Sequence, residues 1–134
     1  LSIDKTAPGQ GLEVGKKLAT LVPITKTLIV VDKDVDVLNR TEVMQAVGAR
    51  WQPYPAAEII KEARGMPLDP SAPKRPMSSK IVIDATRQWP EEGGPAVYPE
   101  RNRDLLNKLA PEAKKLVDAR WEEYMRGWKR DRGW

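Results

Sequence analysis

"TLIVVDKDVDVLNRTEVMQAVG", residues 27–48, decides how this chain is built. Thr27 to Val31 reads as a strand whose Leu28 to Val31 is continuously apolar rather than alternating, the pattern of a strand covered on both faces inside a parallel sheet. A polar crest follows at Asp32, Lys33, Asp34 and Asp36, and then a helix is predicted from about Arg40 to Val47. Val43, Met44 and Val47 lie on one side of it, and Gly48 is its expected stop. Upstream, residues 1–4 read as a short strand. After the Pro8-Gly9 break, "GLEVGKKLATLV" sets Leu12, Leu18, Leu21 and Val22 among Lys and Glu and predicts a helix. The order is therefore β-α-β-α.

Downstream the pattern loosens. "AAEIIKEAR", residues 56–64, fits a helical turn or a strand, whereas residues 65–77 hold four prolines and must be a loop. "KIVIDAT", residues 80–86, reads as another strand, and "WPEEGGPAVYPERN", 89–102, as a second Pro/Gly-rich loop. From Pro111 a long helix is predicted. Ala113, Leu116, Val117, Trp121, Tyr124, Met125 and Trp128 are spaced by three and four along one face, Pro111 and Glu112 suit its first turn, and Gly127 ends or frays it. The predicted fold class is α/β: a small, mainly parallel sheet flanked by helices, with a long C-terminal amphipathic helix. We expect an α/β domain over 1–110, an interface helix over 111–128 and a tail over 129–134.

The 134 residues make one domain, and 40% hydrophobic with 31% charged residues argues against wholesale disorder. No apolar run approaches the roughly 18 residues of a membrane span, and no export signal is visible, so a cytoplasmic protein is expected. A strand at the first residue leads us to expect a fragment or processed segment of a larger subunit. With neither Cys nor His in the chain, thiolate metal sites, disulfides and imidazole bases are excluded, leaving carboxylates, Lys, Arg, Tyr or a cofactor for any catalysis. The net charge of +4 lies wholly in residues 101–134, which carry ten Lys/Arg against six acids. Trp121, Trp128 and Trp134 interleave with these bases, as a nucleic-acid contact would require, but an amphipathic helix with a solvated basic face is the preferred reading.

Three motifs carry candidate chemistry. In "PGQGLEVG", Gly9, Gly11 and Gly15 open a helix after a strand, and Asp32 closes the next strand, close to a dinucleotide-binding fingerprint. Pro8 and the extended "DKTAP" lead-in disturb the tight turn that site needs, so the glycines equally suit a helix start requiring small residues. The acids Asp32, Asp34 and Asp36 stand at the carboxyl end of a buried strand, where they would hold Mg²⁺ or accept a phosphoryl group. Alternatively, Asp36 or Asn39 caps the next helix and Asp34 satisfies loop amides, which we prefer. Finally, Lys80 enters the last strand, while Asp84, Thr86 and Arg87 leave it, as a site or as a structural ion pair.

Taken in order, "VVDKDVDVLNRTEVMQAVGAR", "MPLDPSAP", "SSKIVIDATRQWPEE" and a Pro-Glu helix ending in "ARWEEY" resemble the carboxy-terminal domain of the UbiD-like decarboxylases from about Leu1 to Trp128. "SKIVIDATRQWP" is the most specific block. Lys33 in the acidic crest, Ser79 in place of a glycine, and "RWQPYPAAE" depart from the family pattern and point to a divergent branch such as the phenylphosphate carboxylases. The resemblance implies reversible decarboxylation of aromatic or unsaturated acids on prenylated FMN, held with a divalent metal (Mn or Mg) and K mainly by domains outside this chain. The family's catalytic Arg and two Glu, and its metal ligands, have no counterpart here, so the chain is not expected to turn over alone. By its apolar-Pro-apolar triplet, Met66 and Leu68 would line the substrate pocket or else anchor the loop in the core, and Lys26 would reach the cofactor phosphate. The implied partners are the enzyme's other domains or subunits in a homo- or hetero-oligomer, with no nucleic acid, and the terminal helix packs across a subunit interface. Two rival expectations are a stand-alone nucleotide-binding module using Gly9, Gly11 and Asp32, and a non-catalytic assembly subunit whose basic helix docks an acidic partner.

Overall fold

The structure is a computed structural model that describes residues 1–100 and 102–126. It divides into two compact units, Leu1–Val97 and Tyr98–Trp134. In the first, β1 (Ser2–Ile3), α1 (Gln10–Leu21), β2 (Thr27–Asp32), α2 (Arg40–Arg50), β3 (Ala57–Arg64) and β4 (Met77–Ala85) follow in chain order. The sheet order is β1-β2-β4-β3. β1 and β4 run parallel to β2, but β3 pairs antiparallel with β4 at the edge. The sheet is thus mixed, with three parallel strands and one antiparallel edge.

β2 and β4 are central, and helices cover both their faces. Val31, Val35, Ala46 and Ala85 form one buried cluster, with Ile29, Ile83, Val43, Val47 and Trp51 packed around it under α2. The alternate residues Leu28 and Val82 join Ala19 of α1 on the opposite face, with Leu12, Leu18 and Ile60 around them. Val30, Val31 and Val82 are essentially inaccessible, each contributing about 1.5–3 kcal/mol by burial. α1 reaches the sheet through a stripe of Gly11, Gly15 and Ala19. A Cβ built on Gly15 would lie 2.4 Å from Cγ1 of Val82, and one on Gly11 would lie 2.3 Å from the Asp84 carboxylate oxygens. Those two glycines answer to helix-to-sheet distance, while Gly9, at φ 72°, forms the left-handed start of α1.

The structure corrects two expectations and settles a third. α2 continues through Gly48 to Arg50, because the Arg50 guanidinium is held by carboxylates of the β2 edge and the Trp51 indole donates to the Ala56 carbonyl at 3.0 Å. Residues 56–64, ambiguous by pattern, resolve as the edge strand β3, with a register shift between Ile60 and Ala63 and Glu62 at φ 52°. The long helix over 111–128 is replaced, among the described residues, by α4 (Pro111–Ala119) and α5 (Trp121–Tyr124), preceded by an unforeseen α3 (Asn102–Leu109); Gly127 and Trp128 lie outside the described residues. Pro111 starts α4 as expected. It holds Ala110 out of helical geometry at φ −145°, ψ 58°, separating α3 from α4. At Arg120 (φ −105°, ψ 11°) the amide is shared between the Leu116 and Val117 carbonyls, so the turn tightens and α4 closes. The guanidinium then pairs with Glu123 at 2.7 Å and lies over the Tyr124 ring.

Gly15→Ala is expected to destabilise the protein by about 1–3 kcal/mol, since the methyl must displace Val82 or lift α1 from the sheet. Urea denaturation reads this; an unchanged midpoint would mean that α1 is free to shift.

Candidate functional site

At the carboxyl edge of the sheet the side chains close on one another. Asp84, 1% exposed, accepts from the Thr86 amide (3.0 Å) and hydroxyl (2.6 Å). The Thr86 hydroxyl in turn accepts from Lys5 Nζ at 3.2 Å, and the same ammonium donates to the Arg87 carbonyl (3.1 Å) and to Glu92 (2.5 Å) and lies over the Trp89 ring. Glu92 also accepts from the amides of Gly9 (2.6 Å) and Trp89 (2.7 Å). Burial alone would raise its carboxyl, but Lys5 and the two amides outweigh this and hold it below its ordinary value. The place at the start of α1 where a nucleotide phosphate would sit is therefore taken by the chain's own carboxylate.

The acid crest is neutralised in the same way. Arg50, 8% exposed, donates to Asp32 (2.7 Å) and to both oxygens of Asp34 (3.0 and 2.9 Å). Arg87 donates its amide to Asp32 (2.9 Å) and its guanidinium to Asp34 (2.7 Å). Although burial works to raise the Asp34 carboxyl, the two guanidinium groups bring it down from 3.8 to about 2. Asn39 caps α2, accepting from the amides of Thr41 and Glu42, and Asp36 accepts from Leu38. Asp34 was expected to satisfy loop amides and instead takes cations. Among the described residues no group of three or more acids is placed to hold a metal ion. Gly9 is thus bound to Glu92, Gly11 lies against Asp84 and Asp32 is bound by Arg50 and Arg87, and Lys33 makes an exposed pair with Asp4 at 2.7 Å.

Open space lies at the opposite edge. A cavity of about 250 Å³ is lined by Ile24, Lys26, Met66, Leu68, Asp69 and Ser78, among others. Met66 and Leu68 are exposed, at 46% and 73%, so they are not anchored in the core. The Lys26 ammonium donates to Asp69 (2.8 Å) and to the Ser71 hydroxyl. The Lys26 and Ser71 contacts pull the Asp69 carboxyl from 3.8 to about 2. Lys80, 3% exposed, donates to the carbonyls of Ala19 (2.6 Å) and Val22 (3.2 Å) at the end of α1, and burial lowers its ammonium below 10.5. It thereby fixes the turn leading to Ile24 and Lys26. A larger depression of about 450 Å³ beside the β3 bulge, among Lys61, Lys74 and Met77, contains none of the sequence-predicted residues, and the smaller cavity carries the stronger chemical case.

Residues 1–85 match the family model of the 3-octaprenyl-4-hydroxybenzoate carboxy-lyase C-terminal domain. The chain belongs to this UbiD family. An uncharacterized protein of Aeropyrum pernix is 35% identical over 126 residues, covering 92% of this chain and 25% of that protein. Phenolic acid decarboxylase of Sedimentibacter hydroxybenzoicus is 43% identical over 74 residues, 55% of this chain and 15% of the relative. Among solved structures, the UbiD-class enzyme HmfF from Pelotomaculum thermopropionicum in complex with FMN aligns with TM-score 0.68 and 30% identity over 87% of this chain and 24% of its own. The chain thus spans about a quarter of the length of its UbiD relatives.

Against a flavin mononucleotide, these residues fit one edge. Among the described lining residues, Lys26 would offer a cation to a phosphate and Met66 and Leu68 an apolar surface, with Gly65 the glycine beside them. The acidic crest fits no divalent metal, because Arg50 and Arg87 already occupy it. Asp69 and Ser71 escaped sequence reasoning. The Asp-x-Ser spacing of an Asx turn in "LDPS" was the available signal. No helix among the described residues is long and apolar enough to cross a membrane.

Asp34 contributes stability that is present above its unfolded value near 4 and lost as pH falls toward about 2. Asp34→Asn should therefore flatten the acid limb between about pH 4 and 2 while lowering stability at pH 7. Urea midpoints at three pH values read this, and parallel limbs in the two proteins would show that the pairing with Arg50 and Arg87 is without consequence.

Proposed function

We propose that the chain is the carboxy-terminal domain of a prenylated-FMN-dependent reversible decarboxylase acting on aromatic (phenolic) or unsaturated carboxylic acids. In this reading the flavin, a divalent metal (Mn or Mg) and K are held mainly by segments outside the chain. The observation that carries it is the convergence of Met66, Leu68 and Lys26 on one cavity in a chain of this family. When bound, prenylated FMN supplies the group that takes up the electron pair left as the carboxylate departs as CO₂. Met66 and Leu68 form a wall that excludes water and disfavours the charged carboxylate relative to neutral CO₂. Lys26 meets the cofactor phosphate as a point charge.

The second compact unit supports the oligomer part of the reading. Leu105, Leu109, Leu116, Trp121 and Tyr124 are each at least 41% exposed, a run of apolar side chains suited to a neighbouring subunit. Among its described residues, Lys108 pairs with Glu100 (2.6 Å), Lys114 with Asp118, and Lys115 with Glu112 (2.9 Å). That pairing favours a solvated basic face over a nucleic-acid track. The departures at Lys33, Ser79 and "RWQPYPAAE" are the grounds for a phenolic carboxylating branch such as the phenylphosphate carboxylases.

In the complete enzyme, Met66→Ala should change the ratio of kcat/KM between bulky and small acids by roughly tenfold, with little loss of stability because Met66 is half exposed. Steady-state kinetics over a panel of aromatic and unsaturated acids decides it. Unchanged ratios would take Met66 out of the wall, and no CO₂ release from any acid by the flavin-loaded enzyme would end the decarboxylase reading.

A further inference from the structure

We propose that Asp69 is a positioning residue that tunes cofactor affinity: it competes with the cofactor phosphate for the Lys26 ammonium and so ties the wall loop to arrival of the anion. The inference rests on the reading of Lys26 as the phosphate contact. Its geometric basis is that Lys26, the cation among the described residues lining the cavity, is bound to the loop that carries both apolar wall residues. Asp69 Oδ2 accepts from Lys26 Nζ at 2.8 Å, and Ser71, two residues on, accepts from the same ammonium.

The two partners differ in freedom. Asp69 is pinned by its own loop: Oδ1 accepts from the Ser71 amide (2.9 Å) and hydroxyl (2.8 Å), its amide donates to the Met66 carbonyl (3.1 Å), and its carbonyl accepts from Arg75 Nε (3.2 Å). Its side chain is 12% exposed, against 52% for that of Lys26. Lys26, on a four-carbon stem with three donors, is the partner that moves. A phosphate arriving at Nζ meets a carboxylate that stays ionised, Asp69 being held at about 2. Either the ammonium turns from Asp69 to the phosphate, or the two anions share it and repel each other. In both cases the Asp69 charge weakens anion binding. Where the ammonium turns away, the 66–71 loop loses its tie to the start of β2, while the Asp69–Ser71 turn keeps the loop's own shape. Met66 and Leu68 then shift as a unit.

The test is FMN titration into the complete, flavin-free protein, read by quenching of flavin fluorescence, for wild type, Asp69→Asn, Lys26→Met and the double variant. The expected result is roughly two- to fivefold tighter FMN binding by Asp69→Asn, the scale of an exposed ion pair, and weaker binding by Lys26→Met. In the Lys26→Met background, Asp69→Asn should lose its effect where the ammonium turns and keep it where the two anions repel, and in neither case should it weaken binding. Asp69→Ser, which keeps a small acceptor for the Ser71 amide, is the second variant should Asp69→Asn fail to fold, and it should tighten binding in the same sense. A role confined to shaping the loop predicts weaker binding from either replacement. Unchanged or weaker binding by both, with Lys26→Met still harmful, overturns the inference and leaves the phosphate reading standing. Unchanged affinity in Lys26→Met overturns that reading, and the inference with it.

Discussion

The first unit depends on burying β2 and β4 on both faces at once. Val30, Val31 and Val82 are sealed between α1 and α2, and no polar side chain fits at those positions without an unmet hydrogen bond. The constraint reaches into the helix above. α1 approaches so closely that a methyl at Gly11 or Gly15 would overlap the strand side chains, so dispersion contacts of the Gly15 backbone with Val30 and Val82 add to the side-chain packing of Leu12, Leu18 and Ala19 between the layers.

Two-faced burial leaves only the strand ends for polar chemistry, and the two ends differ. At the carboxyl edge, charged groups are gathered into closed sets: Asp84, Thr86, Lys5 and Glu92 in one, and Asp32, Asp34, Arg50 and Arg87 in the other. Open α/β sheets commonly bind ligands at that edge. Here it is filled by internal ion pairs that hold β1, α1 and α2 to the central strands. At the amino edge, a buried lysine of β4 donates to the end of α1 and fixes the turn before β2, and the proline-rich loop between β3 and β4 leaves a space beside Lys26.

That asymmetry suits a domain spanning about a quarter of the length of its relatives. A domain that completes a site needs a rigid body, so that its contribution arrives at a fixed place, and a small surface of chosen character. The sealed carboxyl edge supplies rigidity. At the amino edge the proposed wall residues Met66 and Leu68 share a cavity with Lys26, whose contact with Asp69 joins the two.

The sequence by itself determined the elements whose chemistry is local. Unbroken apolarity at 28–31 specified a strand buried on both faces, Pro111 specified a helix start, and the ordered run of motifs through "SKIVIDATRQWP" specified the family. Local pattern was silent wherever a distant partner decided the outcome. Residues 56–64 became an antiparallel edge strand because β4 offered a free row of hydrogen bonds, and α2 ran past Gly48 because Arg50 found carboxylates at the end of β2 and in the turn after it. The three-part tail was hidden because a regular apolar spacing continues unchanged across Arg120, where the backbone turn tightens. Only the tertiary structure brought Met66, Leu68, Lys26 and Asp69 to one cavity. Lys26 meets the loop after β3 because that strand, antiparallel to β4, carries the chain from the carboxyl edge back to the amino edge, and no local propensity encodes that return.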